Sequence, residues 1–227
     1  QGPAHSQNLQ AISSHIPGLK VVMPATAGDA KGLLLESIFD NNPIVFLEHR
    51  WLHNLEGNVP DGDHRIPIGK ANLLQKGSDI TLVSMSYMSI EALRAVEALK
   101  KEGINCELID LRTVKPIDFN SIFKSVRKTG HLVAIDTGVA TNSISSEIIS
   151  RVSMECFHVL KKPPVRIALP DYPTPTSSSL TKDFYMRAED IIEIVSKIFD
   201  KELKGSELID RGSVPYDVPG NWFKGPF

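Results

Sequence analysis

The sequence predicts an α/β protein with three layers, in which helices cover both faces of a mostly parallel sheet. Strand-like and helix-like segments alternate along most of the 227 residues, which is the order that βαβ units produce. Some strand-like runs are apolar throughout, as expected for strands buried on both faces. Glycine and proline separate the segments at short intervals.

The composition is that of a folded globular protein. Hydrophobic residues make up 41% and charged residues 23% of the chain, and the formal net charge is -2. The charges are scattered, which argues against a nucleic-acid partner. No apolar run approaches the roughly 20 residues of a membrane helix, and no export leader is seen. We therefore predict a protein without a membrane partner, located in the cytoplasm, or in the mitochondrial matrix if it is eukaryotic.

The first α/β block is predicted to cover residues 1–62, including a connector at its end. A β-branched apolar run at 19–24 indicates a strand, and the continuous run at 43–49 indicates another. Between them, residues 26–40 show helical spacing, with Thr26 and Asp29 as a cap. The apolar stripe of this helix is made of Leu33, Leu34, Ile38 and Phe39.

The second block is predicted to cover residues 63–204. It follows a stretch rich in Asn, Gly, Asp and Pro, which is typical of a connector. The alternation then continues to the last helix, with Cys106 and Cys156 as buried thiols because no metal or redox spacing is present. The predicted elements are strands at 79–86, 105–111, 131–136 and 165–171, helices at 89–104, 119–130, 143–160 and 188–199, and a turn at 112–118.

The predicted tail, residues 205–227, is irregular and carries four aromatic residues: Tyr216, Trp222, Phe223 and Phe227. Aromatic side chains in a tail usually have a surface to dock on. Folding back onto the same chain and docking on another surface are both open.

No self-contained catalytic motif is present, so residue patterns alone stop at the fold class. The chain nevertheless resembles a known family along almost its whole length. The stretches that carry the resemblance are "GPAHSQNLQAISSHIPGLKVVMPATAGDAKGLLLESIFDNNPIVFLEH", "GSDITLVSMS", "CELIDLRTVKPID", "SVRKTGHLVAID" and "DYPTPTSSSLTKDFY". They are similar to the β subunit of the E1 component of thiamine-diphosphate-dependent 2-oxo acid dehydrogenase complexes.

The resemblance implies a pyrimidine-binding domain followed by a transketolase C-terminal domain. Residues 1–62 would be the last part of the first domain plus its connector, so that the chain corresponds to the C-terminal two thirds of such a subunit. The resemblance further implies an E1 α subunit, a second β subunit and a lipoyl acyltransferase core as partners.

His5 is the candidate catalytic residue, because the resemblance places the histidine of the "HSQ" motif in the active-site channel. Acyl transfer to a lipoyl sulfur moves protons, and an imidazole titrates near neutrality. For an isolated histidine beside a helix, a solvated or capping role is the alternative.

No cofactor-binding residue is assigned in this chain. The resemblance implies that the carboxylate that activates thiamine diphosphate lies upstream of His5, and that the α subunit largely holds the diphosphate and Mg²⁺. Glu36 and Glu48 are poor substitutes for that carboxylate. Glu36 lies in a helix whose orientation is set by its apolar stripe, and Glu48 ends a different strand. We expect the chain alone to be inactive.

Ser37, Asp40 and Asn42 match a stretch where related β subunits bind a structural K⁺, mainly through main-chain oxygens. A helix C-terminus, where carbonyl groups lack partners, suits a hard cation. An ordinary polar helix end is the alternative. Asn142 and Ser143 stand where the family usually has a glycine pair; they are expected to cap a helix, which puts close packing at a subunit contact in doubt.

The leading function predicted is oxidative decarboxylation of a 2-oxo acid with acyl transfer to a lipoyl group, as part of an E1 β subunit. An acetoin dehydrogenase β subunit or another transketolase-like synthase is a close alternative. A non-catalytic assembly module is the alternative from a different class.

Overall fold

The computed structural model describes residues 2–210 and 212–225, and Phe227 of the predicted aromatic tail lies outside them. The chain forms two sheets, and helices cover both faces of the larger one. The strands are β1 Lys20–Val22, β2 Ile44–Phe46, β3 Asn72–Gln75, β4 Ile80–Ser84, β5 Cys106–Asp110, β6 Thr113–Lys115, β7 Leu132–Val139 and β8 Val165–Leu169. The helices are α1 Gly2–His5, α2 Gln10–His15, α3 Ala27–Phe39, α4 Tyr87–Lys101, α5 Phe119–Thr129, α6 Ile144–Glu155, α7 Ala188–Ile198 and α8 Gly205–Leu208.

The larger sheet confirms the predicted three-layer architecture. Its strand order is β3-β5-β4-β7-β8. The β4, β5, β7 and β8 strands pair in parallel, and β3 is an antiparallel edge. Helices α4 and α7 contribute to the core on one face, and α5 and α6 contribute to the core on the other.

Strand β4 shows why this sheet needs helices on both sides. Its residues are all buried. Ile80 and Leu82 belong to the core beneath α4 and α7, whereas Val83 belongs to the core beneath α5 and α6. Successive side chains of a strand point to opposite faces, so a strand that is apolar throughout is stable only between two apolar layers. Each such side chain contributes roughly 1.5–3 kcal/mol by burial.

The smaller sheet corrects one prediction, because residues 112–118 do not form only a turn. Residues 113–115 form strand β6, which pairs antiparallel with β1, while β1 and β2 pair in parallel as predicted. A strand from the second block therefore joins the sheet of the first block. The pairing partner lies about 90 residues away in the sequence, and local patterns carry no information on such a contact.

Helix α3 has the predicted bounds and cap, since the Thr26 hydroxyl accepts a hydrogen bond from the Asp29 amide at 3.1 Å. The apolar stripe of this helix is mostly exposed. Only Leu33 is buried, whereas Ile38 is 64% and Phe39 is 62% exposed. Leu33 packs with Val22 and Ile66 in a small core, and Leu34, Ile38 and Phe39 do not take part in it.

The predicted cap of α6 and the predicted buried thiols are confirmed. Ser143 caps α6 by accepting a hydrogen bond from the Ser146 amide, and Asn142 adopts a positive φ of 54°. Both Cys106 and Cys156 are buried thiols. Within residues 2–210 and 212–225, no helix is long and apolar enough to cross a membrane.

The tail folds back onto its own chain. It begins with the short helix α8 and is irregular at 209–210 and 212–225, so the prediction of an entirely irregular tail was wrong for residues 205–208. Trp222 packs against the core beneath α4 and α7, and Phe223 is 8% exposed. The Lys224 amide donates a hydrogen bond to the Asn54 side-chain oxygen at 3.2 Å.

Candidate functional site

A cleft of about 160 Å³ lies where the two sheets, the loop before α7 and the tail meet. We call it the His5 cleft. It is lined by His5, Ser6, Gln7, Asn8, Glu48, His49, Arg50, Trp51, Pro175, Tyr185, Asp217 and Phe223. Four separate parts of the sequence thus build one site, which explains why no compact motif marks it.

His5 is the last residue of α1 and is exposed at this cleft. The helix is held against the loop before α7 by close packing. Gly2 is buried, has a φ of +62°, and leaves only 2.7 Å between an added Cβ and the Thr176 hydroxyl oxygen. A larger side chain at Gly2 would displace α1, and with it the imidazole of His5.

The residues that follow His5 are tied to the end of strand β7. Gln10 is 1% exposed, and its side-chain amide donates a 2.7 Å hydrogen bond to Asp136. The same carboxylate accepts hydrogen bonds from the amides of Gly138 and Ser145, at 2.9 and 3.0 Å. The Asn8 side chain donates to the Thr137 carbonyl oxygen at 2.8 Å. These contacts fix the "HSQN" segment on the large sheet, since buried charge-assisted hydrogen bonds are strong and directional.

His49 is a cleft residue that sequence reasoning missed. Its ring stacks on Tyr87 with 5.1 Å between centroids, and Nδ1 accepts a hydrogen bond from the Trp51 amide at 3.3 Å. Burial, together with the positive charge of Arg187, lowers the pKa of His49 to about 4. The imidazole is therefore neutral at physiological pH. The available signal was its place at the carboxyl end of the strand predicted at 43–49, because such ends often carry functional residues.

Arg187 organises the aromatic wall behind His49. Its guanidinium lies 4.7 Å from the centre of the Trp51 ring and donates a 2.5 Å hydrogen bond to the Tyr87 hydroxyl. The Tyr87 hydroxyl in turn donates to Glu91, which also accepts a 2.9 Å hydrogen bond from the Ala188 amide at the start of α7. The network compensates the burial of the Arg187 and Glu91 charges.

Tyr185 joins this wall to the His5 segment. It contacts the Trp51 ring at 5.0 Å between centroids and shares a hydrogen bond with Ser6. Burial and the nearby Asp217 carboxylate raise the pKa of Tyr185. The phenol is therefore a hydrogen-bonding group rather than a base at neutral pH.

Glu48 lies in the same cleft as His5, although the sequence argument set it aside. Its carboxylate is half exposed and lies 3.9 Å from the His53 imidazole. It also lines a neighbouring cleft on the other side of the 3₁₀ turn Arg50–Leu52. Ending a different strand does not separate Glu48 from His5, because the two segments converge in space. Glu36 is not among the residues that line either cleft.

The three residues predicted to hold K⁺ do lie at the end of α3. Asp40 is its C-cap, and its carboxylate pairs with Lys20 and accepts 2.8 Å hydrogen bonds from the amide and side chain of Asn42. Lys20 and Asn42 together hold the pKa of Asp40 at about 2. The Ser37 hydroxyl donates to the Leu33 carbonyl oxygen at 2.6 Å. A cation here would thus depend on main-chain oxygens, and the described residues contain no cluster of three His, Cys, Asp or Glu side chains placed for a metal.

A second buried polar cluster joins the two sheets away from the cleft. Arg112 pairs with Asp29 of α3, and its carbonyl oxygen accepts a 2.8 Å hydrogen bond from the Met23 amide. Asp110 is fully buried, accepts a 2.9 Å hydrogen bond from Ser89, and has its pKa raised to about 7, chiefly by burial and further by Asp29. This cluster is structural, because it lines neither cleft.

Two protein-family models match the chain. The transketolase C-terminal domain matches residues 69–191, and the transketolase pyrimidine binding domain matches residues 1–54. The His5 cleft takes residues from both matched regions and from the tail beyond them.

Among curated relatives, the acetoin:2,6-dichlorophenolindophenol oxidoreductase subunit beta of Cupriavidus necator is 40% identical over 203 residues, covering 89% of this chain and 59% of the relative. The pyruvate dehydrogenase E1 component subunit beta of Rhizobium meliloti is 42% identical over 195 residues, covering 86% and 42% respectively. That of Cyanidium caldarium is 39% identical over 194 residues, covering 86% and 59%. The chain thus spans about three fifths or less of these relatives.

A solved structure described as a split gene transketolase, inactive beta4 tetramer, superposes with a TM-score of 0.69 at 22% identity. The superposition covers 86% of this chain and 61% of that one. It supports the fold described above.

Proposed function

The chain belongs to the transketolase family, and from that premise we propose that it serves as part of the β subunit of a thiamine-diphosphate-dependent 2-oxo acid dehydrogenase. The reaction proposed is oxidative decarboxylation of a 2-oxo acid with acyl transfer to a lipoyl group. The observation that carries the proposal is the His5 cleft, in which the histidine of the "HSQ" motif is exposed among residues of both family domains. The similarity to pyruvate dehydrogenase E1 β subunits supports the reaction class.

Thiamine diphosphate would supply the electron sink for decarboxylation. The residues that line the His5 cleft fit only one side of such a coenzyme. The cleft has a volume of about 160 Å³, whereas pockets that enclose a drug-sized ligand have roughly 300–1,000 Å³. We propose that an E1 α subunit completes the site and holds the diphosphate and Mg²⁺. A second β subunit and a lipoyl acyltransferase core are the further partners proposed, and the cytoplasm or the mitochondrial matrix is the location.

Within this division of labour, His5 would hold or deliver a proton at the acyl acceptor. An imidazole at the mouth of a cleft is within reach of a substrate that enters there and can act as a general acid or base. Tyr185 and Ser6 would hold the segment that carries His5, while neutral His49 would accept or donate a hydrogen bond without adding charge.

The test is reconstitution of the chain with an E1 α subunit and any remaining β-subunit segment. We expect turnover with a 2-oxo acid and lipoyl acceptor, and a loss of at least about 100-fold in His5→Ala. His15→Ala, which alters a histidine on α2, is the matched control. Full turnover by His5→Ala would remove His5 from the catalytic residues.

Acetoin cleavage is a second candidate, favoured by the 40% identity to the Cupriavidus necator subunit. Assaying the same reconstituted enzyme with acetoin, pyruvate and branched-chain 2-oxo acids separates the two. Absence of turnover with every substrate, despite stable assembly, would favour the non-catalytic assembly module.

The K⁺ site is also a proposal, with Ser37, Asp40 and Asn42 contributing main-chain oxygens. We expect K⁺ to raise the unfolding temperature of the assembled protein more than Li⁺ at equal ionic strength, because Li⁺ is too small for a cage of carbonyl groups. Equal stabilisation by both ions would contradict the site.

A further inference from the structure

We infer that the tail, residues 212–225, is a wall of the His5 cleft, and that Arg187 is the positioning residue that holds it there. The inference concerns access to the cleft, and it rests on the proposed function only in assuming that substrate or acyl acceptor enters at this point. The tail lies beyond both family models, which end at residues 54 and 191.

The contact between Arg187 and the tail is specific. The guanidinium donates hydrogen bonds to the carbonyl oxygens of Tyr216 and Val218, at 3.0 and 3.1 Å. Asp217 lies between these two residues and lines the cleft. By holding the carbonyl groups on either side, Arg187 fixes the backbone from which the Asp217 side chain extends.

Further attachments lie farther along the tail, among them Trp222, which packs against the core beneath α4 and α7. Phe223 is buried and lines the cleft, and the next amide, that of Lys224, bonds to Asn54. Gly220 allows a close approach, because an added Cβ would lie 2.6 Å from the indole nitrogen of Trp222. Outside these points, residues 212–225 form no helix or strand.

Arg187 is itself held in place by its own contacts, so it can fix the position of the tail. Its amide donates a 2.7 Å hydrogen bond to Asp190 in the first turn of α7, and its side chain is 5% exposed. The same guanidinium supports Trp51, which also lines the cleft. One buried cation therefore aligns the aromatic wall on one side of the cleft with the tail on the other.

A segment without regular structure that is held at a few points opens at lower free energy than the sheet beneath it. Loss of the Arg187 contacts should therefore release the tail while the core stays folded. Release should widen the cleft, expose Trp51 and make His5 more accessible than it already is.

The test uses the chain's two tryptophans, Trp51 in the cleft and Trp222 in the tail. In a Trp222→Phe background, Trp51 is the sole reporter, and its quenching by acrylamide measures access to the cleft. We expect Arg187→Met and Phe223→Ala each to raise the quenching constant about twofold or more, and to speed carbethoxylation of His5 to a similar extent. Lys204→Met, at an exposed residue that pairs with neighbouring Glu207, is the matched control.

Arg187→Met removes a positive charge beside the buried Glu91 carboxylate. A change in this variant can therefore reflect unfolding of α7 rather than release of the tail. A second variant, Asn54→Cys with Lys224→Cys, avoids that problem. The two positions are neighbours in the structure, and the native cysteines are buried and do not compete for the cross-link. We expect the oxidised form to show less quenching of Trp51 than its own reduced form. Unchanged quenching in both Phe223→Ala and the cross-linked protein, with native circular dichroism, would overturn the inference.

The same variants in the reconstituted enzyme separate this inference from the proposed function. We expect Phe223→Ala to change KM for substrate or acyl acceptor more than kcat. If the variants change the quenching of Trp51 but the reconstituted enzyme shows no turnover, the inference about the tail is supported and the proposed function fails. If the enzyme is active but the variants change neither the quenching of Trp51 nor KM, the proposed function is supported and the inference about the tail fails.

Discussion

Arg112 pairs with Asp29 across the junction between the two sheets, and both side chains are largely withdrawn from water. Arg112 lies between β5 and β6 with a φ of 57°, a conformation that is costly for a residue other than glycine. The ion pair and the hydrogen bond from Met23 to its carbonyl oxygen compensate for this cost. The His5 cleft depends on the junction, because its walls come from both sides.

The first prediction concerns this ion pair. Asp29→Asn should lower the free energy of unfolding by about 3 kcal/mol, because it leaves a largely buried guanidinium without its counter-charge. Denaturation by urea measures the change. The control is Lys162→Met, which removes an exposed pair with Asp200 and should cost at most about 1 kcal/mol. Equal effects of the two variants would show that the junction does not depend on the pair.

The second prediction concerns Asp110 and pH. Its pKa is raised to about 7, so between about pH 4 and pH 7 the folded protein holds a proton that the unfolded chain releases. This contribution to stability is present at low pH and is lost as pH rises towards 7. Asp110→Asn should therefore stabilise the protein relative to wild type by roughly 2 to 3 kcal/mol more at pH 8 than at pH 5.

Urea unfolding of wild type and Asp110→Asn at both pH values checks this result. Asp171→Asn, at an exposed carboxylate that accepts a hydrogen bond from Thr141, is the control for general charge effects. A difference between Asp110→Asn and wild type that does not change with pH would contradict the raised pKa.

The third prediction concerns His49, whose pKa is lowered to about 4. Below about pH 6.5 the imidazole is protonated in the unfolded chain but not in the folded protein, so the free energy of unfolding falls as the pH falls towards 4. Replacing His49 by Gln should flatten this part of the stability curve, although lost stacking on Tyr87 lowers stability at every pH. A proton titration of the His49 ring by NMR gives an independent measurement, and a pKa near 6.5 would refute the prediction.

The fourth prediction concerns Gln10 as a positioning residue. Gln10→Ala removes the buried bond to Asp136 and should destabilise the protein by about 1.5–3 kcal/mol. In the reconstituted enzyme it should also lower kcat at least tenfold, because His5 is no longer held in place. Gln10→Glu is not a conservative rescue, since it brings a second carboxylate to Asp136. His15→Ala, at an exposed position of the same helix outside the cleft, is the control; equal kcat in wild type, Gln10→Ala and His15→Ala would separate Gln10 from His5.

The order of elements and their layers were predictable because they depend on local patterns. The apolar runs of β4 and β5 require cover on two faces, and residues such as Thr26, Asp118 and Ser143 cap helices through bonds to amides three residues away. The resemblance carried by "HSQ" pointed to His5, and the structure places that residue at a cleft. These features involve residues that are close in sequence or carry a motif.

Only the tertiary structure decided how the distant parts meet. Strand β6 joins β1, Arg187 meets Tyr216 and Val218, and Glu48 shares a cleft with His5. Each of these contacts links segments whose local patterns are the same whether or not they touch. The exposed Ile38 and Phe39 illustrate the converse, since helical spacing indicates a face but not what covers it. The sequence by itself therefore determined the elements and their family, and packing between remote segments determined the site.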